Sequence, residues 1–154
     1  MFPIRDKISK NHNIKVMSKR KVIKVFVEKA EDGTYWGTTQ NIPGVVTAYG
    51  NSLKELKDNL KVAFDDYIEV AEEEKEDWVR DVKKITDWDY QMDLQAFFYL
   101  IPEVKISAIG KKAKINESLM RQYVTGKAAA SEGRVKLIEK AIHELGRELQ
   151  SVSF

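Results

Sequence analysis

The chain has no cysteine and only two histidines among its 154 residues. Without thiols it forms no disulfide, thiolate zinc site, iron–sulfur cluster or cysteine nucleophile. His12 and His143 stand far apart in the sequence, so metal-dependent or imidazole chemistry has few parts to work with. No apolar run approaches the roughly 18 to 20 residues of a membrane span, and the start of the chain lacks the apolar segment of a secretory signal. A cytoplasmic address with no membrane contact is the expectation. What the chain does have is 43% hydrophobic residues, enough for the core of one ordinary domain or two small ones.

The net charge of +2 hides a segregation. Residues 1 to 30 carry nine Lys/Arg against two Asp/Glu, residues 31 to 103 carry seven against seventeen, and residues 104 to 154 carry ten against five. An acidic middle between basic ends suits a polyanion partner for a basic end and a cationic partner for the acidic part, although acidic residues also coat solvated helices.

Residues 1–20 are basic and lack clear periodicity. They read as an extension, and Met17, directly before SKRKVIKVFVEK, is an expected alternative start of translation. From Lys21 the pattern sharpens. Ile23, Val25 and Val27 alternate with Lys24, Phe26 and Glu28, the period-two signature of a half-buried strand. Glu31-Asp32-Gly33 supplies turn chemistry, and Thr34 to Thr39 predicts a second strand antiparallel to the first. Asn41 to Gly44 turns the chain again, and Val45 to Tyr49 predicts a third strand. At Ser52 the period changes: Ser52 and Glu55 form a capping box, and Leu53, Leu56, Leu60, Phe64, Tyr67 and Ile68 predict an amphipathic helix closed by the acidic run Glu72 to Asp77. Trp88, Tyr90, Met92 and Leu94 alternate with polar residues and predict a fourth strand, giving βββαβ.

After Gln95 the chain turns helical and basic. AFFYLIPEV reads as a short helix stopped by Pro102. Two short helices follow in ISAIGKKAKINESLMRQYVTGK, then a final helix capped by Ser131. In that helix Val135, Ile138, Ile142, Leu145 and Leu149 step by three and four, a pattern that fits either a dimer seam or the core of a small helical domain. The expected organisation is an extension at 1–20, an α+β domain at 21–95 and an all-α domain at 96–154.

The stretch from Ile106 to Lys127 resembles a helix-turn-helix of the phage-repressor class. Ile109, Ala113, Ile115, Met120 and Tyr123 stand where that motif keeps its interhelical core, and Gly110 is small where the two helices cross. Asn116 is the expected N-cap of the second helix, leaving Glu117, Ser118, Arg121, Gln122 and Thr125 on its outward face. Arginine reads guanine bidentately and glutamine reads adenine. Lys111, Lys112 and Lys127 are expected phosphate contacts, which supply affinity and register rather than sequence choice. Lys114 stands where the motif usually has glycine, so the turn asks a lysine for a positive φ. A single such domain offers a small interface, and a homodimer or higher even-numbered oligomer on a palindromic site is expected.

Catalysis has a weaker case. Glu28, Asp32, Asp65 and Asp66 are carboxylates of the kind that hold Mg²⁺ in nucleases. Phe64, Tyr67 and Ile68, however, set the buried stripe of the predicted helix, so Asp65 and Asp66 point mostly away from the sheet. Tyr35 and Trp36 read as core or interface, and His143 as packing beside the last apolar stripe. No catalytic residue, cofactor or metal ligand is expected.

Together, VFVEKAEDGTYWGTTQNIPGVVTAYGNSLKELKDNLKVAFDDYIE and the helical half from Asp93 to Leu149 resemble a HicB-type antitoxin of a bacterial type II toxin–antitoxin system, over roughly residues 21 to 150. Where that family often has cysteine after the Pro-Gly turn, this chain has Val45. The resemblance implies a partial RNase H-like (HicB-like) fold without nuclease activity, joined to a helix-turn-helix domain. It also implies a partner, a small basic mRNA-cleaving toxin of HicA type, and repression of its own operon through operator DNA. The alternative is a stand-alone helix-turn-helix regulator whose first domain dimerises or senses a ligand.

Overall fold

A computed structural model describes residues 21–154; the extension 1–20, His12 and the expected start at Met17 lie outside the described residues. In chain order the elements are β1 (Val22–Lys29), β2 (Tyr35–Thr39), β3 (Thr47–Gly50), α1 (Leu53–Glu73), α2 (Val79–Lys83), β4 (Asp87–Gln91), α3 (Leu94–Leu100), α4 (Ile106–Ala113), α5 (Glu117–Thr125) and α6 (Glu132–Gln150). The class is mixed α+β: a four-stranded sheet followed by helices. The sheet order is β3-β2-β1-β4, antiparallel except where β4 joins β1 in parallel. A parallel pair needs a crossover, and α1 with α2 supplies it.

The expected alternation of β1 appears as burial. Ile23 and Val25 are fully buried and Val27 nearly so, facing α1, while Lys24, Phe26 and Glu28 face the other way. From β2 the same inner face receives Tyr35, Gly37 and Thr39. Leu56, Leu60, Phe64 and Ile68 of α1 close over it. Each such aliphatic or aromatic side chain gains about 1.5 to 3 kcal/mol on leaving water, so this layer is the main reason the domain folds. The buried Thr39 hydroxyl is satisfied, accepting from the Val46 N–H at 3.0 Å.

Close approach decides the corner between β3 and α1. A Cβ on Gly50 would sit 2.4 Å from the Leu56 backbone nitrogen, so only glycine lets the helix start against the strand. Ser52 Oγ accepts from the Glu55 N–H at 3.1 Å, and Glu55 Oε2 accepts from the Asn51 N–H at 2.7 Å. The glutamate thus reaches one residue further back than a standard capping box would have it. The Pro-Gly turn before β3 is pinned from both sides. Tyr67 donates its hydroxyl to the Pro43 carbonyl at 2.6 Å, and Asn41 bridges the Lys24 N–H and the Val22 carbonyl with its side-chain amide.

Four details depart from the sequence reading. Strand β3 begins at Thr47 rather than Val45, because Val46 turns inward to meet Thr39 while Val45 stays in solvent. Strand β4 ends at Gln91, and Leu94 belongs to a helix, because Asp93 accepts from the Ala96 N–H at 2.8 Å and caps α3. A further short helix, α2, lies between α1 and β4, so the order is βββααβ rather than βββαβ. It exists to bury Val79 and Val82 against the first core, two contacts too few to register as a period. Finally, α3 serves both cores: Ala96 and Leu100 pack in the first, and Phe98 in the second.

Candidate nucleic-acid interface

The second core joins Phe98 of α3, Ile109 of α4, Ile115 of the turn, Met120 of α5, and Ile138 and Ala141 of α6. Met120 and Ile138 are fully buried and Ile109 is 1% exposed. Ala113 and Tyr123, the remaining expected core positions, are partly buried against the same cluster. A Cβ on Gly110 would lie 2.7 Å from Met120 Cγ, which is why the two helices can cross so closely only at glycine. Between the helices Lys114 adopts φ 57°, ψ 40°, the left-handed conformation that the motif demanded of it. The turn is held by the Ile115 N–H donating to the Gly110 carbonyl at 2.8 Å. Asn116 caps α5, its Oδ1 accepting from the Ser118 N–H at 2.8 Å, and Gly126 ends the helix at φ 78°.

On α5 the buried and exposed residues separate cleanly. Leu119, Met120, Tyr123 and Val124 turn inward, while Glu117, Ser118, Arg121, Gln122 and Thr125 share one solvent-facing arc. Arg121 does not stand alone: its Nη2 lies 2.7 Å from Glu117 Oε1, one turn earlier. Thr125 donates its hydroxyl to the Arg121 carbonyl at 2.8 Å. Gln122 is exposed, and Lys111 and Lys127 are exposed at the far end of α4 and just past Gly126. Lys112 differs from them. It is half-buried, and its Nζ lies 2.6 Å from Glu148 Oε1 of α6. A phosphate contact by Lys112 therefore requires exchange of one oxyanion for another. Thirty-six residues separate the pair, so no local pattern in the sequence announces it.

The carboxylates of the first domain are dispersed. Asp65 and Asp66 are exposed on the outer side of α1, and Asp65 pairs with Lys61. Asp32 accepts from both the N–H and the hydroxyl of Thr34, and these bonds hold its carboxyl below the usual value of 3.8. Among the described residues no group of three or more His, Cys, Asp or Glu side chains is arranged to hold a metal ion. Nor is any helix among them long and apolar enough to cross a membrane.

A cleft of about 360 Å³ runs between the two cores, with Tyr90, Met92 and Phe97 on one wall and Ile142 and His143 on the other. His143 is exposed at this cleft rather than packed in the helical core. In α6 the apolar steps part company: Ile138 is fully buried, Ile142 and Leu145 partly so, and Leu149 is 66% exposed. No family model, curated protein or solved structure matches the chain.

Proposed function

We propose that the chain is an antitoxin of HicB type, which covers a small basic mRNA-cleaving toxin with its first domain and represses its own operon with its second. The observation that carries the DNA-binding half is the solvent-facing arc of α5. Arg121 and Gln122 are displayed on a helix whose opposite side is locked to α4 through Met120 and Gly110. A rigid helix with bidentate donors outward is what major-groove readout requires. Lys111 and Lys127 flank that arc and serve the phosphates. As a homodimer the protein would present two such helices to a palindromic operator, which one small domain needs for affinity.

The masking half is supported by the order of elements. Strand, Asp-Gly turn, aromatic strand, Pro-Gly turn, short strand and capped helix follow in the order on which the resemblance rests. Charge supports it too: residues 21–95 carry ten Lys/Arg against seventeen Asp/Glu, an acidic body suited to a cationic protein. Covering an RNase requires shape and charge, not catalysis, so the first domain has no reaction to perform in this reading. Co-expression with the adjacent open reading frame tests it. A short basic protein should co-purify, and the chain should restore growth to cells that express that protein. A neighbour that is neither captured nor neutralised would refute the masking role.

A second reading, a stand-alone regulator that senses a ligand, is favoured by the cleft between the cores. There a bound molecule would touch both halves, through Tyr90 and Met92 on one side and Ile142 on the other. Removing residues 21–95 separates the readings. Loss of ligand response alone supports the regulator, and loss of growth protection supports the antitoxin.

A further inference from the structure

The sheet has one face under α1 and another that neither core uses. On that second face stand Phe26, Trp36 and Tyr49, two of them 43% and 47% exposed, on three adjacent strands. Among the described residues, none of the three belongs to either hydrophobic core. Aromatics side by side on an open sheet face are the composition of an interface core rather than of a solvated face.

Trp36 is also held in place. Its indole Nε1–H donates to Thr34 Oγ1 at 2.9 Å, and the Thr34 hydroxyl donates in turn to Asp32 Oδ1 at 2.6 Å. Its ring meets the Tyr49 ring at 5.1 Å between centroids. Glu28 lies directly opposite Trp36 in the β1–β2 register, and Asp89 and Gln91 of β4 stand opposite Lys24 and Phe26. An immobilised aromatic pair beside the carboxylates of Glu28 and Asp32 offers an aromatic face and an anion together.

We infer that this outer face, centred on Trp36 and Tyr49, docks a cationic segment of another protein, with an arginine stacked on Trp36 and paired with Glu28 or Asp32. Charge selects this occupant. Single-stranded nucleic acid also stacks on aromatic platforms, but it needs a basic track, and here the carboxylates outnumber the one lysine of the face. A second copy of the same face would set like charges against each other. A guanidinium satisfies both the ring and the carboxylate, and it does so better than an ammonium. The inference rests on the masking role for the identity of the partner, and it names where that partner sits.

The test titrates nona-arginine into the full chain by calorimetry at low salt. Trp36→Ala and Glu28→Gln should each weaken binding roughly fivefold, and nona-lysine should bind the wild type less tightly. Thr34→Val keeps the indole and the side-chain volume but removes its acceptor, and should weaken binding about twofold, so the inference does not hang on one variant's folding. Asp66→Asn, on the far side of α1, should change nothing. Several results would overturn the inference: binding by Trp36→Ala and Glu28→Gln as tight as that of the wild type, loss in Asp66→Asn instead, or binding that appears only when residues 1–20 are deleted. A single-stranded uridine decamer that binds through Trp36 more tightly than the peptide would also do so, as would a dimer abolished by Trp36→Ala. The neighbouring basic protein supplies the second arm. If it binds wild type and Trp36→Ala equally, the surface is wrong and the masking role stands. If it fails to bind wild type while nona-arginine binding stays dependent on Trp36, the masking role fails and the surface stands.

Discussion

Lys112 of α4 extends its Nζ to within 2.6 Å of Glu148 Oε1 near the end of α6, joining α4 to the last helix. Being partly solvated, the pair contributes only about 0.2 to 1 kcal/mol to stability. Its larger consequence concerns DNA. Glu148→Gln should release Lys112 toward phosphate and steepen the dependence of log affinity on log salt by about 0.9. Filter binding across a salt series measures this, and an unchanged slope would mean that Glu148 does not hold Lys112 back from phosphate.

Arg121 and Gln122 occupy the outward arc of α5, and their truncation should be specific. Arg121→Ala or Gln122→Ala should cost about 1 to 3 kcal/mol on the operator and relax base preference at one position each. Lys111→Ala should instead weaken all sequences alike and flatten the salt slope by about 0.9. Competition between operator and random DNA distinguishes the two behaviours. Equal losses in all three variants would put a different helix in the groove.

Lys114 carries a left-handed backbone at φ 57°, which an L side chain adopts only with strain. Lys114→Gly should raise stability by about 0.5 to 1 kcal/mol, with the gain in the folded state offset in part by a freer unfolded chain. Urea denaturation of the two proteins checks it. No gain would indicate that Lys114 compensates through contacts of its own.

Asp32 accepts two hydrogen bonds from Thr34, and its carboxyl is depressed below 3.8 in the folded chain. A depressed carboxyl contributes stability above its unfolded value and loses it as pH falls through the folded one. The β1–β2 turn, and the Thr34 contact that orients Trp36, should therefore hold above pH 3.8 and loosen below it. Following the Trp36 indole N–H by NMR during acid titration, with Asp32→Asn as the control, measures this. A Trp36 signal that moves equally in both proteins would exclude Asp32 as the cause.

Period and chemistry along the chain were enough for much of this. The alternation at Ile23, Val25 and Val27 forces one face of β1 inward whatever it meets, because burial is paid back only on one side of a pleat. The steps from Leu56 to Ile68 do the same for α1. Ser52, Asn116 and Ser131 start helices because their oxygens meet amides two or three residues on, an interaction complete within one turn. The positive φ of Lys114 was legible too, through the helix-turn-helix resemblance, which sets glycine at that place in the turn. All of these are local, and local physics is written in adjacent residues.

What only the tertiary structure decided depends on residues that meet from a distance. Tyr35 and Trp36 are neighbours with similar bulk, and nothing in their order says which is core; pairing with β1 put Tyr35 under the helices and Trp36 on the open face. The helix α2 is too short to show a period, and its two valines fold inward because the first core is there to receive them. Glu148 finds Lys112 only once α6 has brought Ile138 into the cluster that holds Ile109 and Met120. The apolar steps of α6 could not say where their partners stop: Ile138 is fully buried, while Leu149, one residue past the Glu148 that pairs with Lys112, is left 66% exposed.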